Sequence, residues 1–208
     1  MQEITIREIE KNEKATLKTI ADIHVRTFQG FFLTFMGKGF LRTMYKSYCQ
    51  HNDSTLLGAF NQGGELLGFL AYSKDMGGLY KYMIKRKLIL FAWYSLGAFF
   101  RKPKIFVRLI RAFLKPSESK REEKYIELAS IGVAPDKKSQ GVGSKLISEL
   151  KEREKDSDAS YITLETDTEN NEYANAFYVK NGFRLERTYA TKENRKMNEY
   201  RYDLEKKG

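Results

Sequence analysis

The spacing of apolar residues predicts a strand, two helices and a β-hairpin in the N-terminal part of the chain. Residues 4–9 alternate between apolar and polar, as in a half-buried strand. Residues 13–28 and 39–50 carry apolar residues at helical spacing, so we expect two amphipathic helices there. Residues 54–60 and 66–73 are apolar runs joined by a five-residue turn that contains two glycines, which predicts a hairpin.

The C-terminal part repeats a strand–helix order. The predicted elements are a strand over 125–133, a helix over 141–155, a strand over 161–166, a helix over 171–181, and strands over 183–189 and 198–204. No internal repeat and no Ser/Gly-rich linker divides the 208 residues. We therefore expect a single domain over residues 1–208.

Residues 79–124, called the insert from here on, do not fit this order. Gly77 and Gly78 are expected to break the preceding pattern, and two helices separated near Pro103 are predicted after them. Residues 117–124 are polar and are expected to form a surface loop. The uncharged run 88–100 has thirteen residues, fewer than the roughly 20 that a membrane-spanning helix needs.

The positive charge of the chain is concentrated in the insert. The net charge is +10, and residues 81–124 contain thirteen Lys/Arg and three Asp/Glu, a local balance of +10. Three interpretations are open: a lid that recognises an anionic acceptor, a helix on an anionic membrane surface, or helices that pack on the domain or on a second subunit of a homodimer. The basic residues of such a lid would be Arg101, Lys102, Arg108 or Arg111. No nucleic-acid-binding motif is present, so a nucleic-acid partner is not expected.

Cysteine and histidine are too scarce for several classes of chemistry. The single cysteine, Cys49, excludes an intrachain disulfide and favours the reducing cytoplasm. No signal peptide is evident at the N-terminus. We interpret Cys49 as a small residue packed on a helix instead of a nucleophile. With two histidines and one cysteine, no metal site is expected.

A strand, a loop and a helix meet between residues 133 and 147, with Gly141 and Gly143 at the start of the helix. Glycine allows a backbone to approach a ligand closely, and the free N–H groups of a helix's first turn bind phosphate oxygens. This segment resembles the signature of the GNAT superfamily of acyl-CoA-dependent N-acetyltransferases, with Lys138 where the family has Gln or Arg. The resemblance implies acetyl-CoA as co-substrate and a pyrophosphate cradle built from Lys138, Ser139, Gln140, Gly141, Val142, Gly143 and Ser144. It also implies that the backbone of Ile131 and Val133 pairs with the pantetheine arm.

A second motif follows in the right order. Residues 171–183 resemble the family's Asn-x-x-Ala-x-x-(apolar)-Tyr-x-x-x-Gly-Phe helix. Asn171, Ala174 and Tyr178 would share one face of this helix, which lets Asn171 and Tyr178 address the same extended ligand. Gly182 suits the left-handed position that follows a helix.

Acetyl transfer to an amine requires a base, an oxyanion donor and a proton for the departing thiolate. Glu127 in the strand 125–130 resembles the general-base glutamate of some branches of the family, although it could equally face solvent. Glu165 is the alternative base. A backbone N–H near Ile131 or Gly132 would polarise the thioester, and Tyr178 would donate the proton to the CoA thiolate.

The resemblance implies an α/β fold of the GNAT type: a mixed, largely antiparallel, seven-stranded sheet with helices on both faces, plus a helical insert before the fourth strand. The expected function is transfer of an acetyl group from acetyl-CoA to a primary amine of a small molecule, such as an amino sugar or a nucleotide-linked sugar, by direct attack in a ternary complex. The alternative is a CoA-binding protein whose basic, aromatic insert docks on a membrane or on nucleic acid. A set of phenylalanines either lines an acceptor pocket or packs in the core: Phe28, Phe31, Phe32, Phe35 and Phe40.

Overall fold

The computed structural model describes residues 3–29, 32–101, 123–138, 140–191 and 194–205. The strands are β1 (Ile4–Glu8), β2 (Ser54–Asn61), β3 (Leu66–Ser73), β4 (Tyr125–Val133), β5 (Tyr161–Asp167), β6 (Arg184–Ala190) and β7 (Lys196–Asp203). The helices are α1 (Lys14–Thr27), α2 (Phe32–Phe35), α3 (Lys38–Tyr48), α4 (Met76–Arg101), α5 (Val142–Glu154) and α6 (Glu172–Lys180), with a 3-10 helix at Pro135–Lys137.

The seven strands form one mixed sheet in the order β1-β2-β3-β4-β5-β7-β6. Every neighbouring pair is antiparallel except β4 and β5, which are parallel. The parallel pair needs a crossover, and α5 supplies it between the two strands. The predicted seven-stranded, largely antiparallel sheet is confirmed.

Helices cover both faces of the sheet, as predicted, because alternate residues of the buried strands point in opposite directions. Phe69 of β3 packs with the side chains of α1, α3 and α4, among them Tyr45. The next residue, Leu70, packs with α5 and α6, among them Leu146. We call the two sides the α1/α3/α4 face and the α5/α6 face.

Strands β4 and β5 separate soon after they begin. Only Tyr125–Glu127 of β4 pairs with β5, although β4 continues to Val133 and β5 to Asp167. Ala129 is an extra residue in the pairing with β3, since Ala71 lies opposite Ser130 and Tyr72 opposite Leu128. Such a bulge bends a strand and shifts its alternation. The result is an opening between the two strands, at the middle of the sheet.

The insert begins as one long helix instead of a break at Gly77 and Gly78, which contradicts the prediction for these two residues. The Gly78 N–H donates to Asp75 Oδ1 at 2.7 Å, so Asp75 caps the first turn of α4. A Cβ at Gly78 would overlap the Asp75 carboxylate, and glycine therefore permits this cap. Among the described residues, no helix is long and apolar enough to cross a membrane. Residues 102–122 of the insert lie outside the described residues, including the second predicted helix and Lys102, Pro103, Arg108 and Arg111.

Candidate active site

The loop between β4 and α5 presents an open helix N-terminus beside the opening in the sheet. Gly141 adopts a left-handed conformation with φ of 78° and makes no side-chain cap. The first intrahelical bond runs from the Lys145 N–H to the Gly141 carbonyl, so the N–H groups of residues 142–144 have no partner within the helix. The first turn holds no acidic side chain. This end of α5 therefore suits an anion such as a pyrophosphate.

The two glycines of the motif have different tasks. A Cβ at Gly141 would meet nothing within 4 Å, so glycine is needed there for its positive φ. At Gly143, a Cβ would lie 3.0 Å from Cζ of Phe177 and 3.7 Å from Cγ2 of Val133. The missing side chain at Gly143 thus allows α5 to pack closely against α6. It would also allow a ligand to approach the backbone of α5 at this position.

The loop before Gly141 is anchored at its base. Lys138 follows the 3-10 helix in an extended conformation, and both Lys138 and Gln140 are exposed. Ser139 lies outside the described residues. Arg26 Nη2 of α1 pairs with Asp136 Oδ1 at 2.9 Å, which joins the loop to α1. The exposed Lys138 is therefore available to an anion that approaches the loop.

Ile131 and Val133 lie on the part of β4 that β5 leaves unpaired. Their side chains pack on the α5/α6 core, because the bulge brings them to the same face as Leu128. The Val133 carbonyl accepts a hydrogen bond from the Thr27 hydroxyl at 3.1 Å. The β5-facing backbone of this segment has the geometry of an edge strand, to which an extended amide-containing chain can add.

Tyr178 lies in α6 with its ring in the core, 8% exposed. Its ring contacts those of Phe177, Phe183 and Tyr200. Burial raises the pKa of the Tyr178 hydroxyl above its ordinary value, so the hydroxyl keeps its proton at neutral pH. Gly182 has a φ of 81°, which confirms the left-handed residue predicted after this helix.

Asn171 precedes α6 and ties it to the end of β5. Its Nδ2 donates to Thr166 Oγ1 at 2.6 Å and to the Asp167 carbonyl at 3.3 Å. Asn175, one turn later, accepts at Oδ1 from the Tyr200 hydroxyl at 2.9 Å. The sequence did not single out Asn175, although it belongs to the same helix. Both amides hold α6 in place beside the opening.

Glu127 is half-buried on the α1/α3/α4 face. Its neighbours Ile126 and Leu128 pack into the α5/α6 core, so the alternation of β4 directs Glu127 to the other side. Tyr80 of α4 lies near it: burial raises the pKa of the Tyr80 hydroxyl, and the negative charges of Glu127 and then Glu165 add to that rise. Glu127 is therefore directed toward the α1/α3/α4 side of the sheet.

Two further carboxylates share this face. Glu165 of β5 lies opposite Glu199 of β7 in the sheet register. Glu199 is 4% exposed and accepts from Arg187 Nε at 2.6 Å and from Thr163 Oγ1 at 3.3 Å. Burial, followed by a hydrogen bond to the Glu165 carboxylate, raises the pKa of Tyr189. We call Tyr80, Glu127, Glu165, Tyr189 and Glu199 the acidic face.

Sequence reasoning missed Tyr80, Tyr189 and Glu199. The available signal was the period of two in β5 and β7, which places every second polar residue on one side of the sheet. That signal does not say which strands are neighbours. The strand order β4-β5-β7-β6 and the packing of α4 on the same face bring these side chains together.

A buried hydrogen-bonded chain supports β4 at the bulge. His24 Nδ1 of α1 and the Tyr45 hydroxyl of α3 are 2.6 Å apart, and the same hydroxyl is 3.1 Å from Ser130 Oγ of β4. Burial lowers the pKa of His24 to about 4, so its imidazole is neutral at pH 7. His24 and Tyr45 occupy ordinary apolar-stripe positions in their helices, and no pattern in the sequence distinguishes them.

Residues for which the sequence left two roles open contribute to the core. Burial raises the pKa of the Cys49 thiol to about 12, so Cys49 is a thiol at neutral pH and lacks the character of a nucleophile. Phe40 is 6% exposed in the α1/α3/α4 core, and Phe28 and Phe35 pack against that core. Phe31 and the Phe32 side chain lie outside the described residues.

Comparisons with known proteins agree with this geometry. The model of the acetyltransferase (GNAT) family matches residues 17–183. No curated protein matches the sequence significantly.

Among solved structures, a GNAT-family acetyltransferase from Desulfovibrio desulfuricans has a TM-score of 0.63 at 14% identity, over 98% of this chain and 100% of that chain. Arabidopsis thaliana NAA60 in complex with acetyl-CoA has a TM-score of 0.59 at 16% identity, over 97% of this chain and 99% of that chain. The ribosomal-protein-S18-alanine N-acetyltransferase from Escherichia coli has a TM-score of 0.58 at 15% identity, over 99% of this chain and 97% of that chain. At these identities the structures show a shared fold, while the family model covers most of the chain. The chain therefore belongs to the GNAT family, and it is an N-acetyltransferase with acetyl-CoA as its co-substrate.

Proposed function

We propose that this protein transfers the acetyl group of acetyl-CoA to a primary amine of a small molecule, by direct attack in a ternary complex. One observation carries the proposal: β4 and β5 separate between an open helix N-terminus on one side of the sheet and the acidic face on the other. A donor and an acceptor could thus meet at the opening from opposite sides. The single, half-buried Cys49 favours the reducing cytoplasm as the compartment.

On the donor side, the N–H groups of residues 138–144 would hold the pyrophosphate, with the charge of Lys138 beside them. The backbone of Ile131 and Val133 would bond the amides of the pantetheine arm. Asn171 would act chiefly by holding α6, because its Nδ2 already donates to β5. When bound there, acetyl-CoA supplies the thioester that the amine attacks.

On the acceptor side, Glu127 would accept the proton that the amine must lose, directly or through a water molecule. Glu165 is the second candidate for the base. It also lies on the acidic face, two residues along β5 from the position that pairs with Glu127. Tyr178, whose hydroxyl is protonated at neutral pH, would donate that proton to the departing CoA thiolate. A backbone N–H near Gly132 would polarise the thioester oxygen.

The acceptor we propose is an amine that carries a positive charge in solution. Glu127, Glu165 and Glu199 surround the expected approach with negative charge, of which Arg187 offsets a part. An amino sugar fits this face. A nucleotide-linked amino sugar would in addition direct its phosphates toward the basic residues of the insert.

Release of free thiol from acetyl-CoA in the presence of a panel of amines tests the proposal. With a good acceptor, Glu127→Gln and Tyr178→Phe should each lower kcat by about 100-fold or more. Matched controls are Glu152→Gln, an exposed carboxylate on α5, and Tyr173→Phe, a tyrosine of the same helix that is 71% exposed. Both controls should keep the wild-type rate.

If calorimetry detects acetyl-CoA binding while none of the amines releases thiol, the proposed small-molecule acceptor is wrong. If an acceptor does turn over and Glu127→Gln retains full activity while Glu165→Gln does not, the base is Glu165. If both variants retain full activity, the assignment of a carboxylate base on this face is wrong.

A further inference from the structure

One face of α4 is apolar and exposed. Ile89, Trp93, Leu96 and Phe100 are 84%, 69%, 44% and 77% exposed. Their spacing of four, three and four residues places them on one side of the helix. We call these four residues the α4 stripe. The opposite side of α4 is buried, with Phe91 at 8% exposure in contact with Phe40 of α3.

This exposure is concentrated on α4. Seven of the ten large apolar side chains that are strongly exposed in the described part of the chain belong to this helix. A contiguous apolar surface of this kind marks an interaction site, because water contact with so many large side chains is unfavourable. The stripe is therefore a candidate interaction surface.

The charges of α4 indicate which partner. The helix contains no Asp or Glu and five basic residues: Lys81, Lys85, Arg86, Lys87 and Arg101. At 100° per residue, Lys85 and Arg86 fall on the two flanks of the α4 stripe. Lysine and arginine so placed can extend toward anionic headgroups while the apolar residues enter the lipid.

Other partners suit these residues less well. A second copy would bring together two segments that each carry a charge of +10, which opposes association. A nucleic acid would attract the cations but would leave Ile89 and Leu96 in water.

We propose that α4 docks on an anionic lipid surface, with the α4 stripe in the interface and the basic residues among the headgroups. The helix lies on the membrane in this arrangement, and each basic residue near the surface strengthens binding. Tyr80 of the same helix belongs to the acidic face. Docking would hold that face about 20 Å along the helix axis from Trp93.

Trp93 provides a direct probe, because it is the chain's only tryptophan. The full chain is titrated with vesicles of phosphatidylcholine, with and without phosphatidylglycerol, while the tryptophan emission is recorded. We expect a blue shift and flotation with the anionic vesicles and little change with phosphatidylcholine alone. Without lipid, acrylamide should quench the emission readily, since Trp93 is exposed.

Two double variants separate the apolar and electrostatic contributions. Ile89→Ser with Phe100→Ser should weaken binding to anionic vesicles by about tenfold or more, through lost apolar burial. Lys85→Glu with Arg86→Glu should weaken it by about tenfold or more, through lost attraction to the headgroups. The controls are Leu185→Ser, an apolar residue of β6 that is 51% exposed, and Lys18→Glu on α1. These positions lie in exposed sites, so circular dichroism should be unchanged in all variants.

Several results would overturn the proposal. An unchanged emission spectrum together with no flotation would exclude lipid docking. A blue shift without lipid that grows with protein concentration would assign the α4 stripe to a second copy, and sedimentation would show the dimer. A shift caused by an oligonucleotide but not by anionic vesicles would assign the surface to nucleic acid. Acetyl transfer is measured separately, so failure of this proposal leaves the enzyme assignment intact.

Discussion

Replacing His24 with glutamine should remove a pH-dependent contribution to stability. His24 is 3% exposed, and its Nδ1 lies 2.6 Å from the Tyr45 hydroxyl. Glutamine can still form a hydrogen bond with that hydroxyl but does not titrate. The variant is expected to be less stable than the wild type at pH 7, because an amide fills the imidazole site imperfectly.

The sign follows from the two pKa values of His24. Burial lowers the folded-state pKa to about 4, from 6.5 for the unfolded chain. Between these values the unfolded chain binds a proton that the native state does not, so the free energy of unfolding falls as the pH drops through 6.5 toward 4. A gap of about 2.5 between the pKa values corresponds to about 3.4 kcal/mol in full, of which about 2 kcal/mol is lost between pH 7 and pH 5.

Urea unfolding of wild type and His24→Gln at pH 7 and pH 5 measures this effect. The stability difference between the two proteins should shrink by about 2 kcal/mol at pH 5, since only the wild type loses the His24 contribution. Ile20→Val, at a fully buried apolar position of the same helix, should cost about 1 kcal/mol at both pH values. If the difference for His24→Gln is the same at pH 7 and pH 5, His24 is not a buried neutral imidazole in solution.

Two other predictions concern packing. Gly143→Ala brings a Cβ within 3.1 Å of the Phe177 ring, so we expect a loss of about 1–3 kcal/mol in urea unfolding and a higher KM for acetyl-CoA. The Cβ of Gly141→Ala meets no neighbour, so this variant should lose about 1–2 kcal/mol of stability through its positive φ alone. If the two variants change the KM for acetyl-CoA equally, the two glycines do not have separate tasks. On α4, Phe91→Ala should cost about 3–5 kcal/mol because the ring is buried, whereas Phe100→Ala should change stability by less than about 0.5 kcal/mol. Similar costs for the two phenylalanines would mean that α4 has a different orientation.

The sequence predicted the regular elements well because their signals are local. The strand expected over 125–133 is β4, and the helix expected over 141–155 is α5. The error at Gly77 and Gly78 has a physical cause. A glycine pair usually ends a helix, but here both glycines lie in the first turn of α4, which Asp75 caps. The short α2 and the 3-10 helix were not predicted, since four or three residues contain too little periodicity.

The donor and acceptor sides of the opening differ in how far the sequence could reveal them. The donor side depends mainly on the backbone of one continuous stretch, and glycines at 141 and 143 report its geometry. The acidic face depends on side chains from α4, β4, β5, β6 and β7, which the strand order and the packing of α4 bring together. Each of its residues, taken singly, resembles an ordinary polar residue of a strand or helix.

This difference has a consequence for specificity. A change at Glu165, Tyr189 or Tyr80 alters the charge or shape that an acceptor meets without altering the N-terminus of α5. Glu199 is less free to change, because its carboxylate is buried and bonded to Arg187 and Thr163, and loss of one partner would leave a buried charge unpaired. We therefore expect substitutions on the exposed part of the acidic face to change KM for the amine while KM for acetyl-CoA stays the same. If Glu165→Gln instead raises KM for acetyl-CoA and leaves that of the amine unchanged, the two substrates do not approach from opposite sides of the sheet.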